Sequence, residues 1–431
     1  MNLLIKNGHL LDPVLGRDEI CDVYIMDGKV AATGSLSENT REKFFCGEVR
    51  EIDASGKYVM PGFVDLHVHL REPGFEYKET IKTGTMAAAR GGFTAVCPMP
   101  NTKPSTDCPE MIRKVLEIAE KDSPIHVYPV GAVTKGQMGE ELTDIEGMVQ
   151  AGAKAISEDG KSVMDAGLYR EAMKEAARLS IPVFAHCEDK NMVGKGAMNA
   201  GKKAESMGIE GISNAVEDVI VARDILIAKE TGARLHLCHC STKDSVEMIR
   251  LAKEEGLPVS GEVCPHHFTL TDEDIPGDDA DYKMNPPLRS REDVEALKKG
   301  LEDGIMEAIS TDHAPHGSDE KQKSIAEAPF GIVGSETVFS LAVTELVKKG
   351  HLTPMELVRR MSTNPCRILG TEGGTLAPGT PADITIADFD AEYVIDKNEF
   401  VSKGKNTPFH GRNVFGKVEY TIVGGKVVYP F

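Results

Sequence analysis

The chain has 431 residues, of which 41% are hydrophobic and 27% charged; this balance fits a soluble globular protein, and the length suits a large barrel with an additional domain. Lys and Arg total 49 against 68 Asp and Glu, a net charge of -19. Such a surface repels phosphate backbones and anionic lipid, which sets aside nucleic acid and membranes as partners and means that an anionic substrate needs a local positive site.

The first residues, MNLLIKNGHLLDP, do not read as a secretory signal, because Lys6 breaks a short apolar run and no small-residue cleavage site follows. No apolar run approaches transmembrane length. The nine cysteines are scattered and odd in number, so a reducing, cytoplasmic setting is expected. Residues 1–56 hold short alternating stretches with Gly turns, LLIKNGHLL, DVYIMDGKV and REIDASGKYVM. These read as strands too few to form a stable sheet alone.

From residue 64 short apolar runs alternate with helix-like segments. The runs are VDLHVHL (64–70), FTAVCPM (93–99), IHVYPVGAV (125–133), AKAISED (153–159), IPVFAHCE (181–188), RLHLCHCS (234–241), PVSGEVCPHH (258–267) and MEAISTDHAP (306–315). Between them, segments such as PEMIRKVLEIAEK and KDSVEMIRLAKEEG space their apolar residues at helical intervals. Eight strand–helix units over roughly 250 residues predict an α/β fold, a (β/α)₈ TIM barrel, with parallel strands. Residues 368–431 return to alternating strands, as in ADITIADFD and VEYTIVGGKVVYPF. The expected division is therefore a composite β-sandwich domain from 1–56 and 368–431, and a catalytic barrel from 57–367.

In such barrels active sites lie at the C-terminal strand ends, and the polar residues of this chain collect there. In GFVDLHVHLREPG, strand alternation puts His67, His69 and Arg71 on one face. Strand two runs into Asn101, strand four into Glu158 and Asp159, and strand five into His186. Strand six reaches His239 and strand eight Asp312, His313 and His316. Four imidazoles and two carboxylates exceed one tetrahedral metal and suit two divalent ions about 3.5–4 Å apart, sharing a carboxylate and a hydroxide. The donor types favour Zn²⁺, with Mn²⁺, Co²⁺ or Ni²⁺ as alternatives. Asp312 closes the ring of strands beside strand one and is the expected proton shuttle. Arg71, in register with the imidazoles, can grip a carboxylate with paired hydrogen bonds.

The stretches HVHLREPG, PMPNT, AHCED, CHCSTKDS, EVCPHH, YKMNPPLR, STDHAPH and KGKNTPFHG resemble the dihydroorotase branch of the metal-dependent amidohydrolase superfamily, in its bacterial form with an aspartate bridge. That resemblance implies reversible cyclisation of N-carbamoyl-L-aspartate to L-dihydroorotate plus water, in de novo pyrimidine (UMP) biosynthesis. It implies two Zn²⁺ per subunit, one held by His67, His69 and Asp312 and the other by His186 and His239, bridged by Asp159 and hydroxide. It gives Arg71, Asn101 and His316 to the substrate's α-carboxylate, Asn285 to its ring, and the backbone of Phe330 and Gly331 to a further contact. A homodimer is expected, and association with aspartate transcarbamoylase is allowed.

One departure concerns the bridge, for which many amidohydrolases use a carbamoylated lysine. Alternation within AKAISED puts Lys154 and Asp159 on opposite faces, and Asp159 lies nearer the ligand end. Glu158 faces wrongly unless the strand bulges. Cys238 and Cys240 are read as buried small residues facing away from His239, and His236 likewise. His9, His126, His351 and His410 carry no catalytic duty. His313 is structural, and His266 and His267, at the end of strand seven, are candidate supports for the site. The polar loop 317–331 is expected to cover substrate. Two other readings compete: an allantoinase or a hydantoinase/dihydropyrimidinase-type cyclic amidohydrolase, and a non-catalytic partner of aspartate transcarbamoylase, which should have lost metal ligands.

Overall fold

The computed structural model describes residues 2–431. The N-terminal strands are β1 (Asn2–Asp12), β2 (Arg17–Met26), β3 (Lys29–Thr33), β4 (Val49–Asp53) and β5 (Tyr58–Pro61). The barrel strands that follow are β6 (Phe63–Val68), β7 (Phe93–Pro98), β8 (His126–Val127), β9 (Val130–Ala132), β10 (Ala155–Ser157) and β11 (Pro182–Ala185). A short ribbon, β12 (Met198–Asn199) and β13 (Gly211–Ile212), interrupts before β14 (Arg234–Leu237), β15 (Val259–Val263) and β16 (Ala308–Ile309). The chain ends in β17 (Ile384–Val394), β18 (Asn413–Val423) and β19 (Lys426–Tyr429).

The barrel strands pair in parallel around a ring. The third strand is split at Tyr128–Pro129 into β8, which pairs with β7, and β9, which pairs with β10. A parallel bridge between Val68 and His313 closes the ring. Both faces of each strand are covered, so β6, β7, β11 and β15 are buried at every residue, as parallel strands require. Val64, Leu66, Ala95, Cys97, Val130, Phe184 and Ala308 fill the interior, and Cys366, Ile368 and Leu369 join that cluster. Helices begin at side-chain caps, including Thr80, Asp165, Thr242 and Ser290, which satisfy backbone N–H groups of the first turn.

The terminal strands form one eight-stranded sheet, ordered β19-β18-β17-β5-β1-β2-β3 with β4 on β1. It wraps a core of its own, with Leu3, Ile5, Leu10, Val23, Ile25, Val59, Ile384, Ile386 and Ile422. The two ends thus join in one β-domain, as expected, but it takes in β5 at residues 58–61, which the division at residue 56 left to the barrel.

The barrel strands are shorter than the apolar runs implied, and this corrects several alternation arguments. β6 stops at Val68, with a register shift between Asp65 and Val68, and Arg71 lies beyond it at φ 63°. Thus His67, His69 and Arg71 reach one site through an irregular strand end rather than one strand face. β14 stops at Leu237, and His239 turns at φ 33°. His236, Cys238 and His239 therefore do not alternate: His236 and Cys238 both approach the same buried carboxylate as the His239 backbone, that of Glu262. β10 covers only Ala155–Ser157, so Lys154 and Asp159 both lie outside it. Strand seven ends before His266 and His267, which sit on a short helix, Pro265–Thr269.

Candidate active site

At the C-terminal mouth of the barrel is a cavity of about 200 Å³. Every residue given to metal or substrate from the sequence lines it except His67, which is fully buried beneath. Asp159 lies at the centre. Its Oδ1 is 3.1 Å from His67 Nε2, 3.5 Å from His186 Nδ1 and 3.7 Å from His239 Nε2. Its Oδ2 is 3.5 Å from His69 Nε2. Asp312 Oδ1 lies 3.1 Å from His69 Nε2 and 3.7 Å from His67 Nε2. One carboxylate thus faces both pairs of imidazoles, and the second faces one pair.

His67 Nε2 and Asp159 Oδ1, 3.1 Å apart at the centre, are buried without a hydrogen-bond partner, as are His67 Nδ1, His186 Nε2 and His239 Nδ1 on the outer sides of their rings. His186 Nδ1 and His239 Nε2, the nitrogens nearer Asp159, face each other at 2.9 Å. Buried lone pairs that converge without matching donors are costly unless a cation joins them. The possible ligand atoms of His67, His69 and Asp312 all lie within 4.8 Å of one another, as do those of His67, Asp159 and His239. The donor set therefore fits divalent metal. His69 Nδ1 donates to Asn101 Oδ1 at 2.9 Å, which leaves the Nε2 lone pair for the site. Burial tends to raise the Asp159 carboxyl, but the surrounding imidazoles hold it well below the ordinary range, so it stays ionised. Lys154 is solvent-exposed, and Glu158 turns away to accept from the Thr134 N–H at 3.0 Å.

The cationic wall of the cavity comes from Arg71, whose Nε donates to Pro315 O at 3.2 Å. One of its terminal nitrogens lies 3.4 Å from His316 Nε2. His316 donates from Nε2 to Phe330 O at 2.8 Å and accepts at Nδ1 from Lys78, 3.2 Å away. Burial and the Arg71 and Lys78 charges push the His316 ring down to about 3, so it is neutral at physiological pH. Gly331 adopts φ 150°, and a Cβ there would lie 2.8 Å from the His316 ring; the close approach requires glycine. Asn285 donates to Glu188 at 2.5 Å on the opposite rim. Arg71, His239 and Asp312 all hold positive φ, a strained backbone that the fold maintains where side chains must converge.

Two neighbours, Lys78 and Glu262, escaped the sequence reading, and a third, Cys238, was misplaced by it. Lys78 lies in a polar loop with no periodic signal. Cys238 approaches His67 and Glu262. Glu262 was legible in principle, as the one charge inside the buried run PVSGEVC. His313 packs behind Asp312, accepting from the Gly334 N–H at 3.3 Å and facing Glu79 at 3.4 Å.

Comparison with known proteins places this geometry. A dihydro-orotase-like family model matches residues 56–245, and an amidohydrolase family model matches residues 287–429. The dihydroorotase of Pelotomaculum thermopropionicum is 51% identical over 428 residues, 99% of this chain and 98% of that protein. That of Ligilactobacillus salivarius is 49% identical over 431 residues, covering 100% of this chain and 99% of the relative. Among solved structures, the L-hydantoinase (dihydropyrimidinase) from Arthrobacter aurescens aligns with a TM-score of 0.86 at 28% identity, covering 99% of this chain and 95% of its own. The dihydropyrimidinase from Brevibacillus agri aligns with a TM-score of 0.85 at 24% identity, which shows the shared barrel fold. Fold alone would leave several cyclic-amide hydrolases open, but near-50% identity from end to end does not: the chain belongs to the dihydroorotase family.

Proposed function

We propose that the protein is a dihydroorotase, interconverting N-carbamoyl-L-aspartate and L-dihydroorotate plus water in de novo pyrimidine biosynthesis. The observation that carries this is Arg71, held beside His316 and Asn101 on the rim of the imidazole–carboxylate centre. A cyclic amide that also bears a carboxylate is what such a rim selects. The barrel, 57–367, is assigned the chemistry, and the composite β-domain a supporting role.

In this reading His67, His69 and Asp312 would hold one Zn²⁺, His186 and His239 would hold a second, and Asp159 would serve both ions. When bound, they supply Lewis acidity and bring the pKa of water toward neutrality. The chain supplies the rest. Arg71, Asn101 and His316 hold the α-carboxylate, while Asn285 and the backbone of Phe330 and Gly331 hold the ring. In the hydrolytic direction Asp312 takes the proton of the attacking water and delivers it to the ring nitrogen as the amide bond breaks. In the cyclising direction it takes a proton from the ureido nitrogen and returns it to the departing oxygen. Loop 317–331 is assigned the role of cover.

Among the described residues no helix is long and apolar enough to cross a membrane; a cytoplasmic enzyme acting on a small molecule fits that. The proposal extends to a homodimer and to association with aspartate transcarbamoylase, both read by sizing the protein alone and mixed with that enzyme. The test of function is turnover of L-dihydroorotate against dihydrouracil, hydantoin and allantoin, with metal content measured on the same sample.

A further inference from the structure

Glu262 lies in β15, completely buried in a strand of otherwise small and apolar residues. A buried carboxylate is retained only where its oxygens are satisfied. Oε1 lies 3.2 Å from His67 Nδ1, a charge contact off the line of a hydrogen bond, and accepts the His239 backbone N–H at 3.1 Å. Oε2 faces His236 Nε2 at 3.0 Å and accepts from the Ser310 hydroxyl. Four strands, β6, β14, β15 and β16, thus meet through this side chain or at their ends. Glu262 does not line the substrate cavity.

We infer that Glu262 is a positioning residue that orients two of the proposed metal ligands at once. His67 turns Nδ1 toward Glu262 and Nε2 toward Asp159. The carboxylate charge beside Nδ1 favours a proton on that nitrogen, which leaves the Nε2 lone pair aimed at the centre. His239 is held differently, by its backbone. Its N–H bond to Glu262 secures the φ 33° turn that swings the ring into the cavity. The carboxylate is itself braced from below. His236 Nδ1 is 2.8 Å from Ser260 Oγ, so that serine hydroxyl can donate to Nδ1 and leave Nε2–H for Glu262. This inference rests on the metal-centre reading above and adds a residue to it that touches neither substrate nor reacting atoms.

The test compares wild type, Glu262→Gln and Ser310→Ala. Zinc affinity is measured by chelator competition, with ion stoichiometry, circular dichroism of the metal-free proteins, and kcat and KM on dihydroorotate. Glu262→Gln should weaken zinc binding by about 10- to 100-fold with the metal-free fold intact. Its kcat should fall at limiting zinc and recover partly at excess zinc, while KM stays near wild type because the Arg71 wall is untouched. Ser310→Ala, which loosens Glu262 without touching a ligand, should weaken zinc binding less and in the same direction. Wild-type zinc affinity in folded Glu262→Gln overturns the inference; if that variant does not fold, unchanged affinity in Ser310→Ala overturns it. A third ion in wild type that Glu262→Gln lacks also overturns it, because Glu262 would then be a ligand with His67 and Cys238, whose ligand atoms lie within 4.8 Å of it and of each other. A wild type that binds no metal defeats the metal-centre reading itself, which the stoichiometry reports separately.

Discussion

His69 Nε2 lies 3.1 Å from Asp312 Oδ1, although 243 residues separate them in the chain. The contact joins the first and last strands of the barrel, and the His69 N–H donates to His313 O at 2.8 Å beside it. Closing the ring therefore also places the proposed acid–base carboxylate against the proposed metal centre. Asp312→Asn keeps the shape and loses the ability to take a proton. Turnover of dihydroorotate should fall by about 10²–10⁴-fold while substrate still binds, read as kcat against KM.

The bridge separates Asp159 from Lys154. Asp159 is buried among four imidazoles, and Lys154 is exposed with its backbone N–H on Pro129 O. Lys154→Ala should retain both metals and be indifferent to carbon dioxide. Asp159→Ala should lose metal, because the imidazoles no longer share a compensating charge. Metal analysis of the two purified variants decides between aspartate and a carbamoylated lysine.

Arg71→Lys keeps the charge and loses the planar pair of donors. A hydrogen bond to a charged group is worth about 1.5–3 kcal/mol, so kcat/KM on dihydroorotate should drop roughly 10- to 100-fold. The loss should be much smaller on dihydrouracil, which lacks the carboxylate, and the preference between the two should narrow. Steady-state kinetics on both substrates measures this.

How far the sequence alone reached depends on what each signal encodes. The βα alternation is written in hydrophobic periodicity, so the barrel and the paired ends were legible. The convergence of these side chains was legible because imidazoles and acids fell at successive strand ends. Strand alternation, by contrast, misdescribed the approach of His69, Arg71 and His239. Those residues lie past the ends of β6 and β14, where positive φ at Arg71 and His239 replaces the period of two. Likewise Pro265 starts a helix where the apolar run of strand seven continued. Lys78 and Glu262 act through tertiary contacts with residues distant in sequence; Glu262 stands out as a lone charge in an apolar run, but no local pattern names the partners of either.

Lys321 carries a pH dependence of stability. Its ammonium donates to Lys283 O and Pro329 O at 3.1 Å each. Burial pulls it down to about 8, with Asp281 opposing and Lys283 adding to the effect. The unfolded chain keeps that proton up to about 10.4. Between these values the unfolded state binds more protons, so this group makes stability rise with pH, by at most about 1.4 kcal/mol per unit. Lys321→Met should lack the rise. Denaturant unfolding of both proteins at pH 7, 8, 9 and 10 should show wild type gaining on the variant above pH 8.

The central claim is that this site acts on a cyclic amide bearing a carboxylate. It is tested most directly by kcat/KM of the zinc-loaded protein on L-dihydroorotate beside dihydrouracil, hydantoin and allantoin at one pH. The account predicts turnover of dihydroorotate, a strong preference for it, and a narrowing of that preference in Arg71→Lys. Faster turnover of dihydrouracil, hydantoin or allantoin, or no turnover of dihydroorotate by fully metallated protein, would contradict it.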